Sequence, residues 1–418
     1  MKKSLFVLLS STLISCTSTE IQDTSEDYSK LNHIIFVPGF YGTKLKSEKN
    51  NSPIWLTAKN SFFGVQSVGV HGLELPNTQK LIPTTILDKV TVIPGLYAKD
   101  VYGDAVDILK NELGDNVRVH TLSFDWRKDY FLAVKKLDKL VRRIQSDGGQ
   151  KVSLVAHSLG GLVSTYYLRY GTQEPDTAKD SWHGAKQFDK ALIATVPYKG
   201  SLLSFRNVFK GVNFIYNKNL INADVLSSFE TNYQMLPTYK NSFLDNDLNI
   251  IDESVLPFNK WRDNKWGFLS STENISAVAK AKRLSFVENT LKKTQLMSQR
   301  IHAPIIGQAP VSLKVAYIRG VKRPTMTRGI LFRSKNQIIP IFDKEDIVKY
   351  FPEDSYEKLF GEGDETLASE SAEFPAAYKE AFHGQLELKD VEAVHSRIFD
   401  NLEVKQLLKR FFSFDQDA

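Results

Sequence analysis

The chain has a single cysteine in 418 residues, Cys16. A lone cysteine cannot close an internal disulfide, so a disulfide-stapled fold is excluded. Runs of five or more like charges are also missing, which removes the basic tail that would announce a nucleic-acid partner. No internal repeat is found, so solenoids and propellers are not expected. The apolar run at residues 4–14 is eleven residues long, too short to cross a bilayer as a helix. No cluster with metal-ligand spacing is present, and no metal or cofactor is expected.

What remains is the composition of a folded globular protein, with 42% hydrophobic and 24% charged residues. Twenty-six Phe, 16 Tyr and 5 Trp are enough for a large core. The formal charge is +6, and +4 once Lys2 and Lys3 are removed with a cleaved leader. A mild positive balance of this size is ordinary solubility charge and also suits an anionic membrane surface.

The N-terminus reads as a targeting segment. Met1-Lys2-Lys3 is a short basic region, residues 4–14 are apolar, and Leu13-Ile14-Ser15-Cys16 follows. This resembles a bacterial lipobox, in which the cysteine is lipidated and becomes the first mature residue. Residues 1–15 are then a lipoprotein signal peptide. Residues 16–31, rich in Ser, Thr, Asp and Glu, are a flexible tether. The expected location is the bacterial cell envelope, anchored through Cys16. Thr17 rather than Asp after the cysteine points to the outer membrane if the envelope is Gram-negative.

Beyond the tether, apolar strands alternate with amphipathic helices. Strands are expected at 33–37, 117–124, 151–156 and 190–195. Helices are expected at 102–113, 131–144 and 161–170. After residue 201 the rhythm breaks for some hundred residues. It returns with a strand at 313–318 and closes in a helix at 401–412. This is a mostly parallel sheet covered on both faces and interrupted by an insertion. The expected division is a core of 32–200, with a lid loop at about 44–75, then an inserted cap of 201–309, then core again over 310–418. The basic stretch 275–297 is either a membrane-facing amphipathic helix or a helix packed on its own domain.

Ala156-His157-Ser158-Leu159-Gly160 lies between the strand KVSLVA and the helix GLVSTYYL. A sharp strand-to-helix turn demands small residues on both sides of a serine, and Ala156 and Gly160 meet that demand. The hydroxyl is left at a helix N-terminus, where N–H groups and the dipole favour developing negative charge. This is the nucleophile elbow of an α/β-hydrolase fold, with Ser158 as nucleophile.

Such a serine needs a base, an orienting acid and an oxyanion hole. The chain order in this fold is Ser, then Asp or Glu, then His. His395 and His383 both lie late enough. His395 is favoured because 391–396 leads into the last amphipathic helix, and His302 precedes the last strands. For the acid, Gly361 and Gly363 allow a tight loop that presents Asp364; Asp343, Asp346 and Glu365 compete with it. Backbone N–H groups of Phe40, after the first strand, and Leu159, after the nucleophile, are the expected oxyanion donors.

Together these segments resemble the lecithin:cholesterol acyltransferase family. The pieces are HIIFVPGFYGTKL, SPIWL, SFDWRKD, AHSLGG, VPYKGS, GDETL and VEAVHSRIFDN. Phe124-Asp125-Trp126-Arg127 is similar to the family's aromatic-Asp-Trp-Arg signature. Pro197 to Ser201 is similar to its Pro-x-x-Gly-Ser turn. Gly363-Asp364-Glu365-Thr366-Leu367 is similar to its acid loop, with Glu365 in place of a glycine. The resemblance implies an acyl-enzyme on Ser158 drawn from a phospholipid or similar ester. Membrane lipids are the expected donors, and water or an alcohol is the acceptor. It also implies that Trp55 and residues 61–70 belong to a mobile lid contacting substrate; a loop packed on the core is the equal alternative. The family often staples its lid with a disulfide, and a single cysteine leaves this chain without one. Two other functions remain open: a carboxylesterase or lipid deacylase acting on another ester, and a surface lipoprotein that binds lipid without turnover.

Overall fold

The computed structural model describes residues 28–56, 80–93, 97–100, 102–214, 217–270, 275–306, 309, 312–382 and 384–413. The leader, Cys16, the tether up to residue 27, residues 57–75 of the expected lid and His383 lie outside the described residues.

Six strands form the central sheet: β1 (Asn32–Val37), β2 (Val117–Thr121), β3 (Lys151–His157), β4 (Lys190–Ala194), β5 (Lys314–Val321) and β6 (Leu386–Glu392). Their order across the sheet is β6-β5-β4-β3-β1-β2, and every neighbouring pair is parallel. Successive side chains on a strand point to opposite faces. Here both faces are buried, so the central strands are apolar without alternation. Ile35, Val37, Leu154, Ala156 and Ile193 face one core, while Ile34, Phe36, Val155, Leu192 and Ala194 face the other. Helices α1 (Gly103–Asn111) and α6 (Leu402–Phe411) cover the second face; α2 (Phe131–Ser146) and α3 (Leu159–Tyr170) cover the first. The expected strand at 117–124 stops three residues early. Its ladder ends when the Leu122 N–H reaches the Phe36 carbonyl at 2.9 Å, and Phe124 and Trp126 turn into the first core instead.

The insertion begins with α4 (Leu202–Lys210) and ends with α5 (Ala277–His302). On α5, Val287, Thr290, Leu291, Thr294, Met297 and Ile301 are buried, a spacing of three and four that marks one helical face. Full burial of Leu291 or Ile301 is worth ~2 kcal/mol each. Two of its cations also serve the fold. Lys293 is paired with Asp129, and Arg283 stacks 4.2 Å over the Phe268 ring. Of the two readings of 275–297, the structure therefore favours packing on its own domain. Arg169 fixes the far end of α5. It is buried, is paired with Asp180 at 2.5 Å, and donates to the carbonyls of Ala303 and Pro304.

One boundary differs from the expected division. The strands Gly329–Ser334 and Gln337–Ile341 do not join the central sheet. They form a four-stranded sheet with Phe243–Leu244 and Ile250–Ile251 of the insertion. The Trp266 indole N–H caps this arrangement on the Ile338 carbonyl at 2.9 Å.

Candidate active site

Ser158 lies between β3 and α3, as the residue that caps the helix, with φ 53° and ψ −122°. For an L residue this region is strained by ~1–3 kcal/mol. The strain aims the hydroxyl out of the turn. The surrounding crowding explains the small residues of the motif. A Cβ on Gly160 would lie 2.3 Å from the Val37 carbonyl oxygen, and one on Gly161 would lie 2.1 Å from Val196. The helix start is thereby pressed against the end of β1.

Three side chains converge there from three segments. The Ser158 Oγ is 3.0 Å from His395 Nε2, and His395 Nδ1 is 2.8 Å from Asp364 Oδ2. Asp364 is fully buried. Its Oδ1 accepts the N–H groups of Thr366 at 3.1 Å and Leu367 at 2.7 Å. Its Oδ2 also accepts the Thr195 hydroxyl. Burial by itself would raise this carboxyl. The charge and hydrogen bond of His395, the Thr195 hydroxyl and the Leu367 N–H outweigh it and hold the group below the usual aspartate value. The His395 N–H in turn donates to the Asp364 carbonyl at 2.8 Å, so backbone as well as side chains join the two loops.

The acid loop is carried by the strand Phe360–Gly363, which pairs antiparallel with Arg323–Met326. A Cβ on Gly320 of β5 would lie 2.7 Å from the Asp364 Cβ, so only glycine leaves room for the acid. Glu365, where the resembling family has glycine, has φ 71°. The left-handed conformation that favours glycine is thus retained with glutamate. The Thr325 hydroxyl accepts the Glu365 N–H at 2.8 Å, and Arg323 pairs with its carboxylate at 2.9 Å; both hold the strained residue.

The competing candidates are elsewhere. Asp343 pairs with Arg206 and Lys210, and Asp346 with Lys210 and Lys349. Glu365 points to Arg323. His302 Nε2 donates to the Tyr198 carbonyl at 2.8 Å, and burial lowers its pKa. That turn clamps the acid loop: Gly200 accepts from the Ser371 hydroxyl, and Ser201 donates to the Thr366 carbonyl at 3.2 Å.

The 38–42 loop lies beside Ser158, since a Cβ on Gly39 would be 2.9 Å from the Ser158 Cβ. Phe40 follows Gly39 in that loop, and Leu159 follows Ser158 as the first residue of α3. The loop rests on aromatic rings: Phe40 and Trp126 meet edge to face at 5.3 Å, and Tyr41 and Trp126 at 4.9 Å. The Trp126 indole N–H donates to the Thr43 carbonyl at 2.9 Å. Asp125 and Arg127 form a bidentate pair at 2.8 Å on each arm, which fixes Trp126 between them.

Of the two readings of Trp55, the structure favours packing on the core. It is 1% exposed, and its indole N–H donates to the Tyr41 carbonyl at 2.9 Å. Its ring packs on Trp126 at 5.1 Å. A buried indole needs an acceptor, and the loop carbonyl supplies one. Trp55 therefore supports the 38–42 loop from within the core.

Three residues of this site were not legible as such. Thr195 follows β4 with φ 45°, rare for a β-branched residue, and touches the acid. Tyr102 and His157 lie beneath Ser158. The His157 signal was inside the elbow motif itself, as a titratable residue on an otherwise apolar strand end.

Among curated protein sequences, no relative matches. Among solved structures, the chain is similar to that of the Tle4–Tli4 complex, at 11% identity and a TM-score of 0.55, covering 92% of this chain and 98% of that one. It is also similar to the mature form of Bacillus licheniformis lipase BlEst2, at 11% identity and a TM-score of 0.36, covering 92% of each. Identities this low speak to the fold alone, and with the parallel sheet and elbow that fold is the α/β-hydrolase fold. The sequence profile of lecithin:cholesterol acyltransferase matches residues 85–393. The match takes in Ser158 and Asp364, begins after Phe40 and Trp55, and ends two residues short of His395, whose place rests on the geometry above. Over most of its length, then, the chain belongs to the lecithin:cholesterol acyltransferase family.

Proposed function

We propose that this protein is a serine-dependent lipid acyl hydrolase or acyltransferase acting on phospholipid-type esters. The observation that carries the reading is the continuous chain of contacts Ser158–His395–Asp364, at 3.0 and 2.8 Å. His395 Nε2 takes the Ser158 proton as Oγ attacks the ester carbonyl. The N–H groups of Phe40 and Leu159 stabilise the oxyanion, each worth about 3 kcal/mol in related chemistry. Asp364 keeps the imidazole proton on Nδ1 and stabilises the imidazolium. His395 then protonates the departing alcohol, leaving an acyl ester on Ser158. Water or an alcohol, deprotonated by His395, attacks that ester; the product acid or new ester leaves and Ser158 regains its proton.

The test is mass spectrometry of phosphatidylcholine–sterol vesicles incubated with the protein, with fluorophosphonate-inactivated protein as the blank. Equal amounts of free fatty acid and lysophospholipid are expected if water alone accepts; if sterol accepts, sterol ester replaces part of the fatty acid, and fatty acid plus sterol ester equals lysophospholipid. Intact lipids beside turnover of a soluble p-nitrophenyl ester would move the substrate to another ester class. Intact lipids with no turnover and no fluorophosphonate adduct would leave a lipid-binding surface protein.

The proposal includes a lipid anchor on Cys16 at the bacterial cell envelope. It rests on the residue 1–16 pattern, and no described helix is long and apolar enough to cross a membrane. Wild type expressed with an alkyne fatty acid is expected to be labelled and to partition into detergent; Cys16→Ser is expected in the aqueous phase, unlabelled. Equal partitioning of both would remove the anchor.

A further inference from the structure

We infer that Tyr102 and His157 are positioning residues, a buried hydrogen-bond chain that holds the oxyanion loop and the base loop in register beneath the nucleophile. The inference rests on Ser158 being the nucleophile. The chain starts at the Gly39 N–H, which donates to the Tyr102 hydroxyl oxygen at 2.9 Å. The Tyr102 hydroxyl is 2.8 Å from His157 Nδ1, and His157 Nε2 is 3.1 Å from the His395 carbonyl oxygen.

Each link has only one possible direction. A backbone N–H only donates, so the Tyr102 oxygen accepts at Gly39. A carbonyl only accepts, so His157 Nε2 carries a proton. A neutral imidazole then has a bare Nδ1, which takes the Tyr102 proton. Both residues are 4% exposed. Burial, and then the neighbouring His395, lower the His157 pKa to about 3, so the ring stays neutral and keeps this one tautomer. The packing is equally close. The His157 and His395 rings lie 4.8 Å apart, His157 meets Phe399 edge to face at 5.7 Å, and Phe36 meets Tyr102 in the same way at 5.2 Å.

Two phenyl rings would fill this space without polar groups. They would leave the Gly39 N–H and the His395 carbonyl unpaired, and those groups belong to the two loops that must be placed to a fraction of an ångström. Phe40 follows Gly39 directly, and His395 carries the base. Displacements of ~1 Å at such sites cost about 100-fold in rate. Neither Tyr102 nor His157 reaches Ser158 Oγ, so their action is through the loops.

The experiment compares wild type, Tyr102→Phe, His157→Phe, the double variant and Ser158→Ala. Rates are taken with p-nitrophenyl butyrate and normalised to active sites titrated with a fluorophosphonate. Tyr102→Phe is expected to lower kcat per titrated site ~10-fold or more, with KM within about twofold. The labelling rate constant is expected to slow in parallel. The double variant is expected to be no slower than the slower single one, because one chain can be broken only once. A packing defect alone would reduce the number of titrated sites and leave their rate intact. The inference is overturned if kcat per site in Tyr102→Phe matches wild type, or if the two losses multiply. Should His157→Phe not fold, the kcat-against-KM split of Tyr102→Phe decides alone. Failure of the nucleophile reading looks different: wild type neither turns over nor labels, or Ser158→Ala equals it.

Discussion

Ser158→Ala is expected to lower ester turnover by on the order of 10⁶-fold, the loss seen when the nucleophile of a serine hydrolase is removed. The expectation follows from what Ser158 alone supplies. Its Oγ is the atom 3.0 Å from His395 Nε2, and no other hydroxyl is given that contact among the described residues. Thr195 approaches His395 at 3.4 Å, but on the Nδ1 side, where the acid lies. Alanine retains the Cβ that packs on Gly39 and the N–H that bonds the Ala194 carbonyl at 2.9 Å. The backbone remains at positive φ in either case. Stability is therefore expected to change by less than about 1 kcal/mol. The measurement pairs the initial rate on a p-nitrophenyl ester with intact mass after fluorophosphonate treatment. A variant that keeps a tenth of the activity, or still gains the adduct, would place the nucleophile elsewhere.

Asp364→Asn is expected to lower kcat by ~10⁴-fold while the protein still folds. The amide cannot choose its orientation freely. The Thr366 and Leu367 N–H groups require an acceptor at the Oδ1 position, so the NH₂ must take the Oδ2 position. There it faces the Thr195 hydroxyl and His395 Nδ1. Thr195 can rotate to accept. His395 can accept only by moving its proton to Nε2, which then points at Ser158 and cannot take the serine proton. The mispaired group is buried, so a loss of stability of ~1–3 kcal/mol accompanies the loss of rate.

The pH dependence has a definite sign. The Asp364 pKa is lower in the fold than in the unfolded chain. Its ionised form therefore favours the folded state at every pH above the unfolded value, and that contribution is lost as pH falls through the folded one. Thermal melts of wild type and Asp364→Asn should converge on acidification. A constant difference down to pH 3 would mean that Asp364 is not the ionised partner of His395.

How much of this was legible depends on how local each feature is. The elbow is contiguous: an apolar strand, Ala156, Ser158, Gly160 and an amphipathic helix occupy one short stretch, and each is required by the same turn. The central strands were legible because both faces of the sheet are covered, which leaves unbroken apolar runs. The acid and the base could be narrowed by chain order and by glycine-bounded loops. The choice of Asp364 over Asp343 and Asp346 follows from distances, because ion pairs with Arg206, Lys210 and Lys349 are contacts between distant segments.

The insertion shows the opposite case. Phe243–Leu244 and Ile250–Ile251 are two-residue strands, too short to have a period, and they find partners at 329–341. Nothing local in either segment announces that pairing. Trp55 was left undecided for the same reason: an aromatic residue in a loop is equally compatible with a lid surface and with a core. Its burial was decided by the Tyr41 carbonyl and the Trp126 ring, which come from other parts of the chain.

By itself, the sequence determined the sheet, the strand-to-helix turn at Ser158 and the family, because apolar periodicity and a crowded turn are written in consecutive residues. Only the tertiary structure decided which acid meets which histidine, what lies beneath the serine and where Trp55 belongs. Those are matters of a few ångströms between segments up to 238 residues apart, and only close packing sets distances of that kind.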